Sequence, residues 1–156
     1  MSKTIVIAPV RKSLTVNATQ ARAFEVFTNG IDRWWPKGHS IGATPLRRSV
    51  IEPRQGGRWY TVHEDGSEAV VGHMLVWEPP VRIVFSWEID AQWKPDATVA
   101  SEVEVTFTPE GPNVTRVDLD HRGFESLGQE GGGKMRGAVD GGWPGILELF
   151  KSEAER

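Results

Sequence analysis

Three patterns in this 156-residue chain predict an α+β fold. The expected form is a curved antiparallel sheet of about six or seven strands around a long C-terminal helix, with two short helices after the first strand. From about residue 46 to 122, apolar residues recur at every second position and short turns interrupt them, as in an antiparallel meander. Near the C-terminus, Met135, Val139, Trp143, Ile146 and Phe150 recur at steps of three or four and define one apolar helix face. Between the first strand and the meander, Ala21, Phe24, Phe27 and Ile31 keep helical spacing. A curved sheet covered on one face by a single long helix leaves space between the two, a common position for a small-molecule site.

The elements follow in order. Residues 3–16 alternate as a first strand, bent near Pro9. Asn17 is the expected N-cap of the first helix, with Gln20 as its capping-box partner and Gly30 as its C′ residue. Ile31 to Trp35 reads as one more turn, stopped by Pro36. The strands of the meander are placed at 46–53, 58–63, 68–77, 81–89, 99–108 and 114–121. Asp65-Gly66 is a favoured hairpin turn, and Glu78-Pro79-Pro80 and Pro109 to Asn113 are further turns. The terminal helix is expected over about 133–155, with Pro144 kinking it or marking a new start. Small residues at 137, 138, 141 and 142 would let that helix approach another backbone closely.

Composition narrows the function classes. The length fits one domain, residues 1–156. Lys and Arg number 18 against 21 Asp and Glu, a net charge of −3, so a fold-wide basic surface for nucleic acid is not expected. The chain has no cysteine, which excludes disulfides, a thiolate nucleophile and Cys-ligated metal. The N-terminal apolar run is too short for a signal core, and no segment approaches the ~20 apolar residues of a membrane span, so the expected location is cytoplasmic. Seven Trp against one Tyr and six Phe is the unusual count, and Trp suits cores, interfaces and ligand pockets alike.

Several segments together resemble a known family. They are Ala18 to Phe27 followed by Trp34-Trp35-Pro36; Gly56-Gly57-Arg58-Trp59; Gly72 to Pro80 followed by Arg82 to Trp87; Glu104 to Phe107 with Thr115-Arg116-Val117; and Gly142-Trp143 with Ile146 to Phe150. In this order and spacing, over about 130 residues, the chain resembles the START-like (SRPBCC, helix-grip) superfamily, in particular homologues of the heat-shock-protein ATPase activator. The resemblance implies a helix-grip fold that binds a hydrophobic or aromatic small molecule between sheet and terminal helix. It also implies two alternatives, an enzyme of the cyclase, aromatase or hydrolase type using the same cavity and a chaperone-activator-like interaction module. It supplies no catalytic motif, cofactor or metal. The expected partner is a small ligand, not nucleic acid or membrane, with a second copy of the chain or a chaperone as the macromolecular alternatives.

Strand alternation then selects candidate residues. Ile83, Phe85 and Trp87 share one face, as do Val103, Val105 and Phe107, and Val117, Leu119 and His121. The expected cavity set is Trp35, Trp59, Phe85, Trp87, Phe107, Leu119, His121, Val139, Trp143 and Ile146. For the aromatic members, plain core packing is the competing reading. His121 is the one candidate acid or base, against a histidine satisfied inside the core. The strand at 68–77 is ambiguous, since either His73 with Leu75 or Met74 with Val76 could face inward. Trp93 lies in a polar loop and reads as a lid, a dimer contact or a loop anchor, while Trp34 keeps no assignment. Gly128 to Met135 nearly spells a phosphate loop, but Met135 replaces the required Ser or Thr and no parallel sheet precedes it, so a flexible entry to the helix or a gate is expected. His39, His63, His73 and His121 have no metal-ligand spacing, and no Gly-x-Ser-x-Gly elbow is present. Glu102 and Glu104 fall on the expected solvent face, and Arg47, Arg48, Arg54 and Arg58 are too sparse for nucleic acid.

Overall fold

The computed structural model describes residues 6–39 and 41–156. Seven strands form one antiparallel sheet: β1 (Val10–Val16), β2 (Leu46–Ile51), β3 (Arg58–His63), β4 (Glu68–Glu78), β5 (Arg82–Trp87), β6 (Ser101–Gly111) and β7 (Val114–Arg122). Their order is β1-β7-β6-β5-β4-β3-β2, so the meander runs to one edge and the first strand closes the other against β7. Two short helices, α1 (Gln20–Phe27) and α2 (Ile31–Trp34), cross from β1 to β2. The long helix α3 (Gly128–Ala154) follows a 3-10 turn at Phe124–Leu127 and lies in the curl of the sheet, completing an α+β helix-grip fold.

Strand β4 makes the sheet curl. Between Trp59↔Gly72 and Tyr60↔Val70 its register slips by one residue, and it slips again between Met74↔Phe85 and Val76↔Val84. Each bulge reverses the inward and outward alternation and bends the strand. Ala69, Val71 and Met74 are therefore all buried although they do not share one parity, and Leu75 is exposed. At Gly72 the backbone of β5 comes so close that a Cβ would sit 1.7 Å from the Ser86 carbonyl oxygen. Only glycine fits at that approach.

Helix α3 buries Met135, Val139, Trp143, Ile146, Leu147 and Phe150 at helical spacing. Cations lace its other side to β1 and the segment before it. Lys12 meets Asp140 at 2.7 Å, Arg136 donates to the carbonyls of Ala8 and Pro9, and Lys151 donates to that of Thr15. At the far end Arg33 pairs with Glu153 at 3.1 Å, which ties α2 to the last turn of α3. No helix among the described residues is long and apolar enough to cross a membrane.

Several sequence expectations are corrected. The first strand starts at Val10; residues 6–9 are irregular, and residues 3–5 of the expected strand lie outside the described residues. Thr19, not Asn17, caps α1, its Oγ1 accepting from Arg22 N at 3.1 Å. Asn17 instead donates its backbone N–H to Glu155, and the Gln20 side chain reaches across to the Phe107 carbonyl. Gly30 is no left-handed C′ residue: Thr28 ends α1, and Gly30 stands at φ −88° as the N-cap of α2. The Gly-rich run that was expected as a flexible entry is the first turn and a half of α3. Gly132 there sits on the 3-10 turn, where a Cβ would come 2.3 Å from the Phe124 carbonyl oxygen. Helix α3 also runs through the exposed Pro144 as one element, with Pro144 supplying no N–H to the carbonyl of Asp140.

These close approaches make opposite predictions for two glycines. Gly72→Ala should lower stability by at least about 2 kcal/mol. Gly141→Ala, where a Cβ meets nothing within 4 Å, should raise stability by about 0.5–1 kcal/mol through helix propensity. Urea unfolding of both variants checks the pair.

Candidate functional site

Between α3 and the concave face of the sheet lies a cavity of about 370 Å³. That volume falls in the range of small-molecule pockets, roughly 300–1,000 Å³. Helix α3 contributes Ala138, Val139, Gly142, Trp143 and Ile146. The sheet contributes Thr61 from β3, Val71 from β4 and Trp87 from β5. Trp35, His39 and Ile41 close one side after α2, and Ile89 and Trp93 close another after β5.

The walls are aromatic because the sheet and helix meet through indoles. Trp35 packs edge-on to Trp59 at 4.9 Å between ring centroids and to Trp143 at 6.3 Å, and Trp87 packs against Trp143 at 5.8 Å. Perpendicular and tilted contacts of this kind are the favoured aromatic geometry. They leave ring faces and edges, with few polar groups, toward the space. Thr61 is satisfied, its Oγ1 lying 2.8 Å from His63 Nε2 and donating to the Ala69 carbonyl. Among the described residues that line the cavity, the only titratable side chain is His39, which is exposed.

Trp93 stands at the rim. The loop after β5 is a tight hairpin in which the Asp90 carboxylate accepts the backbone N–H groups of Gln92 and Lys94, and Ile89 bridges to Pro95. Trp93 at its tip has φ +62°, in the left-handed region that L residues rarely adopt, and its side chain is 41% exposed. The turn thus carries strain while holding an indole at the opening.

His121 lies behind the wall, fully buried. The Trp143 indole N–H donates to His121 Nδ1 at 3.1 Å, and His121 Nε2 lies 2.9 Å from Ser101 Oγ. An indole can only donate, so Nδ1 carries the lone pair and the imidazole proton sits on Nε2, facing Ser101. Ser101 in turn donates to the Trp87 carbonyl at 3.4 Å. Burial pushes the His121 pKa down to about 3 from its ordinary 6.5, so the ring is neutral. Both ring nitrogens are engaged, and the chain of bonds joins β5, β6, β7 and α3 directly behind two wall residues.

Of the residues expected at the cavity, Trp35, Trp87, Val139, Trp143 and Ile146 line it together. Trp59, Phe85, Phe107, Leu119 and His121 do not; they are packed within the closed core, Trp59 with its indole N–H on Ser49 Oγ at 3.0 Å. Phe107 and Leu119 sit on strands nearer the β1 edge, and Phe107 meets Phe24 and Phe27 of α1. The sequence reading did not place His39, Ile41, Thr61, Val71 and Ile89 in the wall. It gave Ala138 and Gly142 a different role, close backbone approach. A Cβ at Gly142 meets nothing within 4 Å, so these small residues open space instead. No group of three or more His, Asp or Glu side chains among the described residues is placed to hold a metal ion.

The model of a family described as Activator of Hsp90 ATPase homolog 1-like protein matches residues 17–155. A solved anthrahydroquino-gamma-pyrone synthase, Txn09 complexed with SUM, is 40% identical, with a TM-score of 0.65, over 94% of this chain and 96% of that one. CalC, a self-sacrificing resistance protein from Micromonospora echinospora, is 33% identical, with a TM-score of 0.69, over 94% of each chain. A protein from Nitrosomonas europaea shares the fold at 12% identity, with a TM-score of 0.64, over 97% of each chain. No curated protein matches.

The buried His121 makes stability depend on pH. Between the unfolded and folded pKa values the unfolded chain binds the extra proton, so stability is full above 6.5 and falls as pH drops toward about 3. The slope is up to about 1.4 kcal/mol per pH unit. Thermal melts from about pH 7 to about pH 5, above the range where carboxylates titrate, should show this slope. His121→Gln, which retains hydrogen-bonding groups but does not titrate, should be less stable at neutral pH and should flatten it.

Proposed function

Because the chain belongs to the Activator of Hsp90 ATPase homolog 1-like family, within the START-like (SRPBCC, helix-grip) superfamily, we propose that it binds a flat hydrophobic or aromatic small molecule between the sheet and α3. The observation that carries this reading is the wall itself. Four indoles surround one cavity: Trp87 from β5, Trp143 from α3, and Trp35 and Trp93 from the segments after α2 and β5. Aromatic faces and edges around a narrow space favour a planar guest, and burying it releases water from apolar surface on both sides. The names of the two relatives above 30% identity, a synthase and a resistance protein, support a small-molecule role.

A second reading, an enzyme of the cyclase, aromatase or hydrolase type in the same cavity, draws on the 40% identity to a synthase. In that reading the walls hold a flexible substrate in a reactive shape, since proximity and orientation alone lower barriers substantially. His121 then acts through Trp143 as a positioning residue, because neither of its nitrogens is free toward the cavity. A chaperone-activator role has less support. The described exposed large apolar side chains, Val6, Leu75, Val81, Trp93 and Leu149, are scattered over separate segments.

The binding reading predicts that planar tricycles such as fluorene and phenanthrene quench the intrinsic Trp fluorescence and raise the melting temperature. Gly142→Leu should fill the cavity and weaken binding at least tenfold. It should not lower the melting temperature of the free protein, because the position is helical and a Cβ there meets nothing. Unchanged binding in Gly142→Leu would place the site elsewhere.

A further inference from the structure

His39 is the one titratable side chain among the described residues that line the cavity, and it stands where water also reaches it. Its backbone N–H donates to the Pro36 carbonyl at 3.1 Å, closing a tight turn that follows Trp35. That turn sets the imidazole edge-on to the Trp35 ring, 6.5 Å between centroids. The other three histidines are committed. His63 and His121 are fully buried, and each has both ring nitrogens in hydrogen bonds. His73 holds Glu88 at 2.7 Å through Nδ1 and lies outside the cavity lining. No hydrogen bond or ion pair joins the His39 ring to a described residue. Its lone pair is therefore available to a molecule in the space, among walls that offer no other base.

We infer that His39 is a general base that removes a carbon-bound proton from a flat guest held among the indoles. The inference rests on the cavity being the binding site, and it deepens the enzyme reading by giving it a reacting group. In this step the guest's C–H bond breaks, the proton passes to an imidazole nitrogen and the electron pair stays on the guest. There the pair spreads over the π system or expels a leaving group. Imidazole is the side chain whose ordinary pKa lies closest to neutral, where general bases work best. A proton on oxygen or nitrogen exchanges with water unaided, so a positioned base has most to add at carbon. The place also suits turnover. A base with one side in water returns its proton to the solvent, which the buried His121 cannot do.

The test uses 5-nitrobenzisoxazole, a flat bicycle with one acidic carbon-bound proton. Removing that proton turns its C=N bond into a nitrile and breaks the ring N–O bond, which releases the coloured 2-cyano-4-nitrophenolate. The wild-type protein should form this phenolate at a saturable rate above that of buffer, and fluorene should inhibit it by occupying the cavity. The rate should rise with pH along a single ionisation. His39→Gln should lower kcat by at least about tenfold, short of the roughly 10²–10⁴ of a fully matched general base. It should also remove the ionisation from the pH profile. His73→Gln, which deletes a histidine outside the cavity, should leave the rate as it is. An unchanged kcat in His39→Gln, or an equal loss in His73→Gln, overturns the inference and leaves the binding reading standing. So does fluorene that quenches the Trp fluorescence while the wild-type rate stays at that of buffer or is not inhibited. Failure of fluorene to bind overturns both.

Discussion

The hydrogen bond from Trp143 to His121 fixes where the helix meets the sheet. It is buried, it links α3 to β7, and it continues through Ser101 to the backbone of β5. In the interior such a chain has no competing water, so each member is held by the next. Protonation of His121 would remove the only lone pair that Trp143 can use. Burial keeps the ring neutral and therefore keeps the bond intact. The apolar contacts around it, Trp87 on Trp143 and His121 on Phe124 at 4.6 Å, depend on that orientation. Hydrophobic burial drives α3 into the sheet, but burial is non-directional. The polar chain selects one rotation and depth.

The cavity follows from a mismatch in shape. Two bulges on β4 deepen the curl of a seven-stranded sheet, while the helix inside it turns Ala138 and Gly142 toward the space. A larger side chain at either position would fill it. Toward the other end, Leu147 and Phe150 close the gap against α1, α2 and the sheet, and Trp34 seals it through contacts with Phe27 and Phe150 at 5.2 and 5.4 Å. The same helix therefore makes a closed core at its C-terminal half and an open one at its middle.

Much of this was legible in the sequence, and the failures have physical causes. Period-two alternation located all seven strands, and the spacing of Met135 to Phe150 located the buried face of α3. The faces of β4 were not legible, because a bulge changes the parity of a strand without changing its composition. Trp59, Phe85 and Phe107 have the right face yet lie in the closed core, since alternation distinguishes inside from outside but not cavity from core. Glycine misled twice. In the run after Leu127 it signals flexibility locally, yet Gly132 is helical because the helix packs onto the Phe124 carbonyl. At Gly142 the missing side chain makes room for a guest instead of for a neighbouring backbone. That the Trp87 indole N–H finds no acceptor among the described residues could not be read from sequence at all, since it depends on neighbours from β3, β7 and α3.

A cavity with apolar walls and an indole N–H without a protein acceptor both work against stability, one by lost dispersion contacts and one by lost hydration. The left-handed Trp93 at the rim adds backbone strain. None of the three is needed to close the fold, because the closed half of the core, the ion pairs along α3 and the His121 chain are complete without them. Trp87 and Trp93 both line that cavity. Local rules are broken around this one region and kept elsewhere. A guest that fills the volume would restore the contacts the cavity walls lack, which links occupancy of the cavity to the stability of the whole sheet and helix.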